Sequence, residues 1–471
     1  MLTLLTFLIN SAVNFALGLG VAYFLGAQEF GTFALAAAAA MVLQTIFFEW
    51  LRLSANRFYG ERQGDADPGI VTTLNRLTGS IAIALSIGAL GIYFGGGGLG
   101  ATALVAAIAP LISITSGLFD YRAALARARF QHRRYAELVL VKNAVALVLM
   151  LGGAWIWRRA DIVLFGLCLS SMAGVAASMR SGRDRDEKQT LRTDLVRQFA
   201  AYSIPIVLAN IIFLANMVMV RSGVAWHHGI AESGRYSLAL DIGLKLVATI
   251  GSGLDLILFQ LAVKAEAEGG MAAARERLSA NLATVFAVVL PTAVGIWLVL
   301  PSFEALFVSE SYCGAFSEYI TLLLPGLFAC ALIQYAINPL FQIARNTSPV
   351  MLSALVSLIV TAAVLFLVPG TDGGHGALAT TSGFIAGLVT ISVLAMRIAP
   401  VSMPWSDLAK ALAATGGMAA AALPLRGLAP GPSTLLATAI GGAAVYATIA
   451  FALNLGGCRT LLLTRLRPAV G

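Results

Sequence analysis

Charge is scarce in this chain of 471 residues, and its scarcity excludes a soluble globular protein. Charged residues make up 11% of the sequence and hydrophobic residues 59%, and the mean hydropathy is +0.85. Soluble domains carry about 25% charged residues. Apolar runs of about 20 residues, long enough to cross a bilayer as helix, recur along the whole sequence. The sequence therefore predicts an all-α polytopic membrane protein.

Patterns typical of catalysis and metal binding are also missing. The four cysteines and four histidines are scattered, with no CxxC pair and no metal-ligand spacing. No nucleotide-binding P-loop occurs, and no loop is long enough to form a catalytic domain. We therefore expect no enzyme activity, no metal site and no cofactor, while coupling to a proton or sodium gradient stays open. The basic residues that give the net charge of +8 lie mostly in short loops, and this position favours contact with membrane lipids over nucleic acid.

Apolar windows predict about 14 transmembrane helices. Basic residues then segregate strongly, because 25 of the 31 fall on one side of the membrane and Lys245 alone is assigned to a span interior. Cytoplasmic loops collect lysine and arginine, so we expect a bacterial inner-membrane protein with both termini in the cytoplasm. The predicted spans are 2–25, 33–51, 77–95, 101–120, 138–157, 161–179, 199–220, 236–262, 281–300, 317–340, 350–368, 376–396, 407–424 and 433–455.

A short motif occurs twice in the sequence. Residues 26–35 read GAQEFGTFAL and residues 229–238 read GIAESGRYSL, so both fit G-x-x-E-x-G-x-[FY]-x-L at an offset of 203 positions. Each copy leads into the second helix of a set of six. Because six is an even number, the second set enters the membrane in the same orientation, which indicates two parallel-repeat bundles. We expect the glycines to serve a tight turn and the glutamate to cap the following helix.

The predicted domains follow from this duplication. They are a six-helix bundle (1–180), a basic cytoplasmic linker (181–198), a second six-helix bundle (199–398), and two additional helices with a cytoplasmic tail (399–471).

Two segments carry a family resemblance. LGAQEFGTFALA (25–36) after a polar-faced first helix, and RLSANRFYGE (52–61) at the end of the second, resemble the polysaccharide flippases. These are the O-antigen and exopolysaccharide translocases of the multidrug/oligosaccharidyl-lipid/polysaccharide exporter superfamily. The resemblance implies twelve core helices plus two C-terminal ones. One departure is Asn216 in the seventh helix, where many relatives carry an acidic residue, and this weakens any transfer of a cation-coupling site.

The resemblance also implies a function. Such a protein flips a lipid-linked, polyprenyl-pyrophosphate oligosaccharide from the cytoplasmic to the periplasmic leaflet by alternating access, for lipopolysaccharide or exopolysaccharide biosynthesis. Its partners would be the lipid-linked oligosaccharide, membrane lipids, a polysaccharide polymerase and glycosyltransferases.

Polar residues inside spans are costly and therefore candidates for the substrate pathway. On the eighth helix, four of them fall within an arc of about 80°. Asparagines of the first and seventh helices suit sugar hydroxyls, although interhelical hydrogen bonding explains them equally. Likewise, the ion-pair spacing of Asp241 and Lys245 fits a purely structural role. The candidates are Asn10, Asn14, Asn210, Asn216, Asp241, Lys245, Ser252 and Asp255.

Four arginines at span ends are candidate contacts for a pyrophosphate, because guanidinium groups bind phosphate in a bidentate way. They are Arg52, Arg57, Arg122 and Arg129. Anchoring of the spans at the membrane interface is the competing explanation.

Two other functions compete with the flippase. A cation-coupled drug antiporter of the same superfamily needs acidic residues in the middle of the first and seventh helices, and this sequence has none there. A polytopic glycosyltransferase or polymerase usually presents a large catalytic loop, whereas all loops here are short. The sequence therefore favours the flippase.

Overall fold

A computed structural model describes residues 2–59, 68–95, 101–180, 192–344, 346, 348–370, 372–398 and 402–460. Within these ranges every regular element is helical. Two uninterrupted runs each contain two spans, because glycine breaks Leu2–Gln44 at Gly26 and Ile230–Phe307 at Gly270. With these divisions, the described chain contains fourteen long helices. The predicted all-α polytopic architecture is confirmed.

We number the helices in chain order, so that each corresponds to the predicted span of the same rank. Single π-helical turns continue α2 at Thr45–Glu49 and Ala55–Tyr59, α5 at Leu147–Leu151 and α10 at Ile333–Ile337. The helices are α1 (2–25), α2 (27–59), α3 (Pro68–Gly95), α4 (Ala101–Ala128), α5 (132–157), α6 (Ala160–Arg180), α7 (Thr193–His228), α8 (230–269), α9 (271–307), α10 (315–343), α11 (Ser348–Leu367), α12 (Gly374–Ile398), α13 (Trp405–Arg426) and α14 (Pro432–Ala452).

By packing, the chain forms two compact units, Met1–Ser237 and Leu238–Gly471, which we call unit 1 and unit 2. In unit 1, α4 lies at the centre and contributes to three buried clusters. One joins it to α2, α3 and α7, another to α2 and α6, and the third to α5 and α6. Helix α7 thus packs within unit 1, while the boundaries of the predicted bundles and linker remain a prediction.

Small residues bring helices of unit 2 close together. In α12, Gly383 and Gly387 form a GxxxG pair, and added Cβ atoms there would meet Thr361 and Ser357 of α11. The Ser353 hydroxyl donates to the Gly387 carbonyl oxygen at 2.8 Å. Membrane helices associate through such close contacts, because lipid provides no hydrophobic force between them.

The repeated motif forms the same turn in both copies. Gly26 and Gly229 have φ values of 73° and 93° with extended ψ, a conformation that side chains disfavour. The second glycine of each copy has a different role. A Cβ atom at Gly31 would overlap the carbonyl oxygen of Ile230, and one at Gly234 would overlap that of Ala27. Because these contacts are related by the 203-residue offset, the two turns cross each other symmetrically inside unit 1.

The motif glutamate does not cap its own helix. The Ala160 amide, at the start of α6, donates to a carboxylate oxygen of Glu29 at 2.7 Å. Glu29 therefore caps α6, which corrects the expectation from sequence, since the turn points its carboxylate at a neighbouring helix rather than back along α2. In the second copy, Glu232 instead forms an ion pair with Arg235 at 2.6 Å.

Substitution of alanine for Gly31 is expected to destabilise the protein. The added methyl group overlaps backbone that cannot rotate away, and such overpacking costs about 1–3 kcal/mol. The melting temperature of the purified protein in detergent should fall by several degrees. Gly88→Ala is the matched control, because an added Cβ there has no neighbour within 4 Å among the described residues. Equal melting temperatures for the two variants would contradict the proposed crossing.

Candidate functional site

Charged side chains meet inside unit 1 where α2, α4 and α5 pack together. The Gln44 side-chain amide of α2 donates to Oδ2 of Asp120 in α4 at 2.6 Å. Further along α2, five and eight residues after Gln44, Glu49 pairs with Arg52. Asp120 also interacts electrostatically with Arg52 and with Lys142 of α5. We call Gln44, Glu49, Arg52, Asp120 and Lys142 the charge cluster.

Lys142 corrects the count of basic residues made from sequence. That count places Lys142 with the cytoplasmic residues, whereas the structure places it ten residues into α5 and partly buried. Its ammonium nitrogen lies 4.4 Å from the centroid of the Phe119 ring, a cation–π contact. A cation inside a membrane helix is costly and by default a candidate for function. Lys142 and Lys245 thus both lie well inside long helices.

A π-helical turn shapes the α2 face of the charge cluster. The turn covers Thr45–Glu49, directly after Gln44. A π turn inserts an extra residue into a helix and re-aims the side chains around it, and such turns are frequent at functional sites. Of these α2 residues, only Arg52 was predicted from the sequence to belong to a site.

The asparagines predicted on α1 form a hydrogen-bonded group with a third asparagine. The Asn14 side-chain amide donates to Oδ1 of Asn10 at 3.0 Å, and the Asn143 amide of α5 donates to the same oxygen at 3.0 Å. The competing structural role, interhelical hydrogen bonding, is thus present. Oδ1 of Asn143 is buried with no hydrogen-bond partner in the described chain. Because Asn143 follows Lys142, this triad adjoins the charge cluster along α5.

The two asparagines predicted on α7 have different surroundings. Asn210 is exposed, whereas Asn216 is only 2% exposed. The side-chain oxygen Oδ1 of Asn216 has no hydrogen-bond partner among the residues described. The structure therefore does not bring the pair together on one face, and their role in a substrate pathway remains a prediction.

The polar residues of α8 do not all lie on one side of that helix. Gly243 packs against Leu327 and Gly251 packs against the Tyr335 ring, which fixes the side facing α10. At about 100° per residue, Asp241 and Lys245 point away from that side, whereas Asp255 lies close enough to Tyr335 to interact with it electrostatically. Asp241, Lys245 and Asp255 are partly buried, and the Ser252 side chain lies outside the described part of the chain. Their role in a substrate pathway remains a prediction.

The four arginines predicted to meet a pyrophosphate lie at one end of unit 1, where α2 and α4 terminate. Arg57 is exposed, and its guanidinium carbon lies 5.5 Å from the centroid of the Tyr202 ring. Arg122 and Arg129 are partly buried near the end of α4. Of the four, Arg52 alone belongs to the charge cluster.

Unit 2 contains an apolar groove between α9, α13 and α14. Its volume is about 460 Å³, and Val288, Pro291, Met418 and Gly442 contribute to its walls. The Tyr446 hydroxyl of α14 donates to the Ala287 carbonyl oxygen of α9. The outer wall includes Ala439 and Ala443, which are exposed. We call this feature the α9–α14 groove.

The Arg426 guanidinium also joins the helices around this groove. It lies 3.7 Å from the centroid of the Trp297 ring and so links α13 to α9. Together with the Tyr446 hydrogen bond, this contact holds the two C-terminal helices on the bundle through specific contacts.

Comparison with solved structures identifies the fold of this chain. No family model matches the sequence, and no curated protein matches it. Among solved structures, the lipid II flippase MurJ in an inward closed conformation has 15% identity and a TM-score of 0.76, over 98% of this chain and 99% of that chain. An inward-facing MATE-family multidrug resistance transporter of the MOP superfamily has 13% identity and a TM-score of 0.62, over 83% and 94%. A MOP-superfamily transporter from Pyrococcus furiosus has 14% identity and a TM-score of 0.52, over 84% and 93%. The chain therefore has the fold of MOP-superfamily transporters.

Proposed function

We propose that this protein is a transporter that flips a lipid-linked oligosaccharide from the cytoplasmic to the periplasmic leaflet of a bacterial inner membrane. The observation that carries the proposal is the extent of the structural match. The lipid II flippase aligns over 98% of this chain, whereas the MATE transporter aligns over 83%, about the share that α1–α12 make up. The additional helices α13 and α14 thus favour a lipid substrate over a small soluble drug.

The α9–α14 groove supports a substrate with an apolar chain. The additional helices supply six of its fourteen lining residues and α9 the other eight, and its walls are almost entirely apolar or small side chains. Ligand sites of this kind bind through burial of apolar surface. A polyprenyl chain has the matching chemistry, while a hydrophilic substrate would gain nothing from this surface.

The charge cluster supports an anionic group on the same substrate. Lys142 and Arg52 are cations held inside unit 1, and each has a carboxylate nearby that keeps the charge cluster close to neutral. Diphosphate oxygens would replace those carboxylates as partners. The asparagine triad next to Lys142 provides amide groups that hydrogen-bond sugar hydroxyls. Under this proposal, alternating access moves the head group while the chain stays in lipid.

Loss of the gene is expected to stop export of surface polysaccharide. Lipid extracts of the deletion strain should accumulate polyprenyl-linked oligosaccharide, and the wild-type gene should restore export. The measurement is mass spectrometry of the lipid extract together with quantification of surface polysaccharide. If no such intermediate accumulates and the strain instead becomes sensitive to cationic drugs, the protein is the antiporter and the flippase proposal is wrong.

Replacement of Lys142 by methionine should reduce export strongly at matched protein level. One charge-assisted contact contributes about 1.5–3 kcal/mol, which corresponds to roughly tenfold or more in rate or affinity. Methionine keeps the apolar stem over Phe119, and Lys142→Arg should restore much of the export. Surface polysaccharide per cell is the measurement, with the melting temperature of each purified variant alongside.

Lys264→Met is the control for loss of one positive charge, because Lys264 is exposed and lies outside the charge cluster. It pairs with Glu268 at 3.6 Å. Lys245→Ala, assayed in the same way, tests the polar residues predicted on α8. Export by Lys142→Met equal to that of Lys264→Met would remove the charge cluster from the mechanism.

A bulky residue in the α9–α14 groove should also reduce export. Ala443→Trp places an indole where the substrate chain is proposed to lie, and Ala443 is exposed, so the fold should accommodate the change. Ala437→Trp is the matched control on the same helix, exposed and outside the groove. Equal export by the two tryptophan variants, at equal protein level, would show that the groove does not take part.

A further inference from the structure

The turn between α4 and α5 holds an aromatic residue in a conformation that favours glycine. Phe130 has a φ of 55°. Its amide donates to the Arg127 carbonyl oxygen, and the Gln131 amide donates to that of Ala126, both at 2.9 Å. This is the Schellman pattern that ends many helices, in which the left-handed position is usually glycine. The sequence therefore keeps a phenyl ring at a position where glycine would relieve backbone strain.

Core packing does not account for this ring. The Phe130 side chain is 58% exposed, and its ring meets that of His132 edge to face at 6.3 Å. Strain retained at an exposed side chain points to a role outside the fold itself.

The surface around Phe130 is strongly basic. Residues 121–137 contain five arginines and a single carboxylate, Glu137. The Arg133 side chain is 93% exposed and pairs with that carboxylate at 3.1 Å. Arg127 lies over the Tyr135 ring at 5.5 Å, and Arg134 donates to the Ser178 carbonyl oxygen at 3.1 Å. Arg127 and Arg133 thus place guanidinium groups within three residues of Phe130.

The depth of the turn in the membrane follows from α5. From His132 to Trp157 the helix rises about 38 Å, close to the full thickness of a bilayer with its head groups. Trp155 and Trp157 are exposed at the far end, as tryptophans at a membrane interface are. Phe130 therefore lies at the level of the head groups on the opposite side, where the cytoplasmic leaflet is predicted to be.

We propose that Phe130, Arg127, Arg129, Arg133 and Arg134 form an interfacial anchor that binds anionic phospholipid. The phenyl ring enters the boundary between head groups and acyl chains, and the guanidinium groups bind the phosphates around it. Binding of these lipids stabilises the folded protein by mass action. The anchor acts on the protein in the membrane and does not depend on which substrate is transported.

The test compares the lipid response of two glycine variants. Full-length protein in neutral detergent receives phosphatidylglycerol or phosphatidylcholine, and unfolding is followed by tryptophan fluorescence. The wild type should melt several degrees higher with phosphatidylglycerol than with phosphatidylcholine, and added salt should reduce this shift. Phe130→Gly should lose most of the shift while melting no lower than wild type without lipid, because glycine fits the left-handed position.

Arg158→Gly is the matched control, since Arg158 is also left-handed, with φ 51°, at the far end of the same span. It should keep most of the response to phosphatidylglycerol, whereas a double variant with glutamine at Arg127 and Arg133 should lose it. A full response in Phe130→Gly would overturn the proposal. So would a lower melting temperature of that variant without lipid, which would show that the ring packs in the fold. A response confined to a polyprenyl diphosphate would assign the surface to substrate instead.

Discussion

Hydrocarbon offers no partner to a charged side chain, so the charges inside unit 1 must satisfy one another. Asp120 accepts from Gln44, Arg52 pairs with Glu49, and Lys142 rests on the Phe119 ring. These contacts connect α2, α4 and α5. Helix α4, which carries Asp120, also contributes to the three buried clusters that join it to the helices around it. Because α4 takes part in both, the placement of these charges and the packing of unit 1 depend on each other.

Balanced charge has a consequence for transport. A site with uncompensated cations would bind a diphosphate tightly and release it slowly. Under the proposed function, Asp120 and Glu49 would compete with an entering diphosphate for Lys142 and Arg52. Removal of one partner from a buried pair is costly, because the remaining charge is left unsatisfied. Exchange between the internal carboxylates and the substrate phosphates would keep the cations partnered both with and without substrate.

The sequence predicted the helical architecture well, because apolar spans and a repeated turn are properties of short segments. Gly26 and Gly229 were recognisable as turn glycines from their motif. The structure adds that the two turns cross at Gly31 and Gly234. Side-chain partners in space were not predictable. Glu29 caps α6 rather than its own helix because the fold brings Ala160 to it. The Asn143 side chain donates to Asn10, which lies 133 residues earlier in the chain. Lys142 was counted with the cytoplasmic loops, and its contact with the Phe119 ring depends on how α5 packs against α4.

The groove and the charge cluster recognise opposite kinds of chemistry, and they lie in different compact units. A small soluble substrate can use only one of them. Under the proposed function, the apolar chain of the substrate matches the α9–α14 groove and its diphosphate matches Lys142 and Arg52. A ligand shifts a conformational equilibrium only through its different affinity for the two states. Each of the two sites would therefore contribute to transport only as far as it binds its part of the substrate more tightly in one state than in the other.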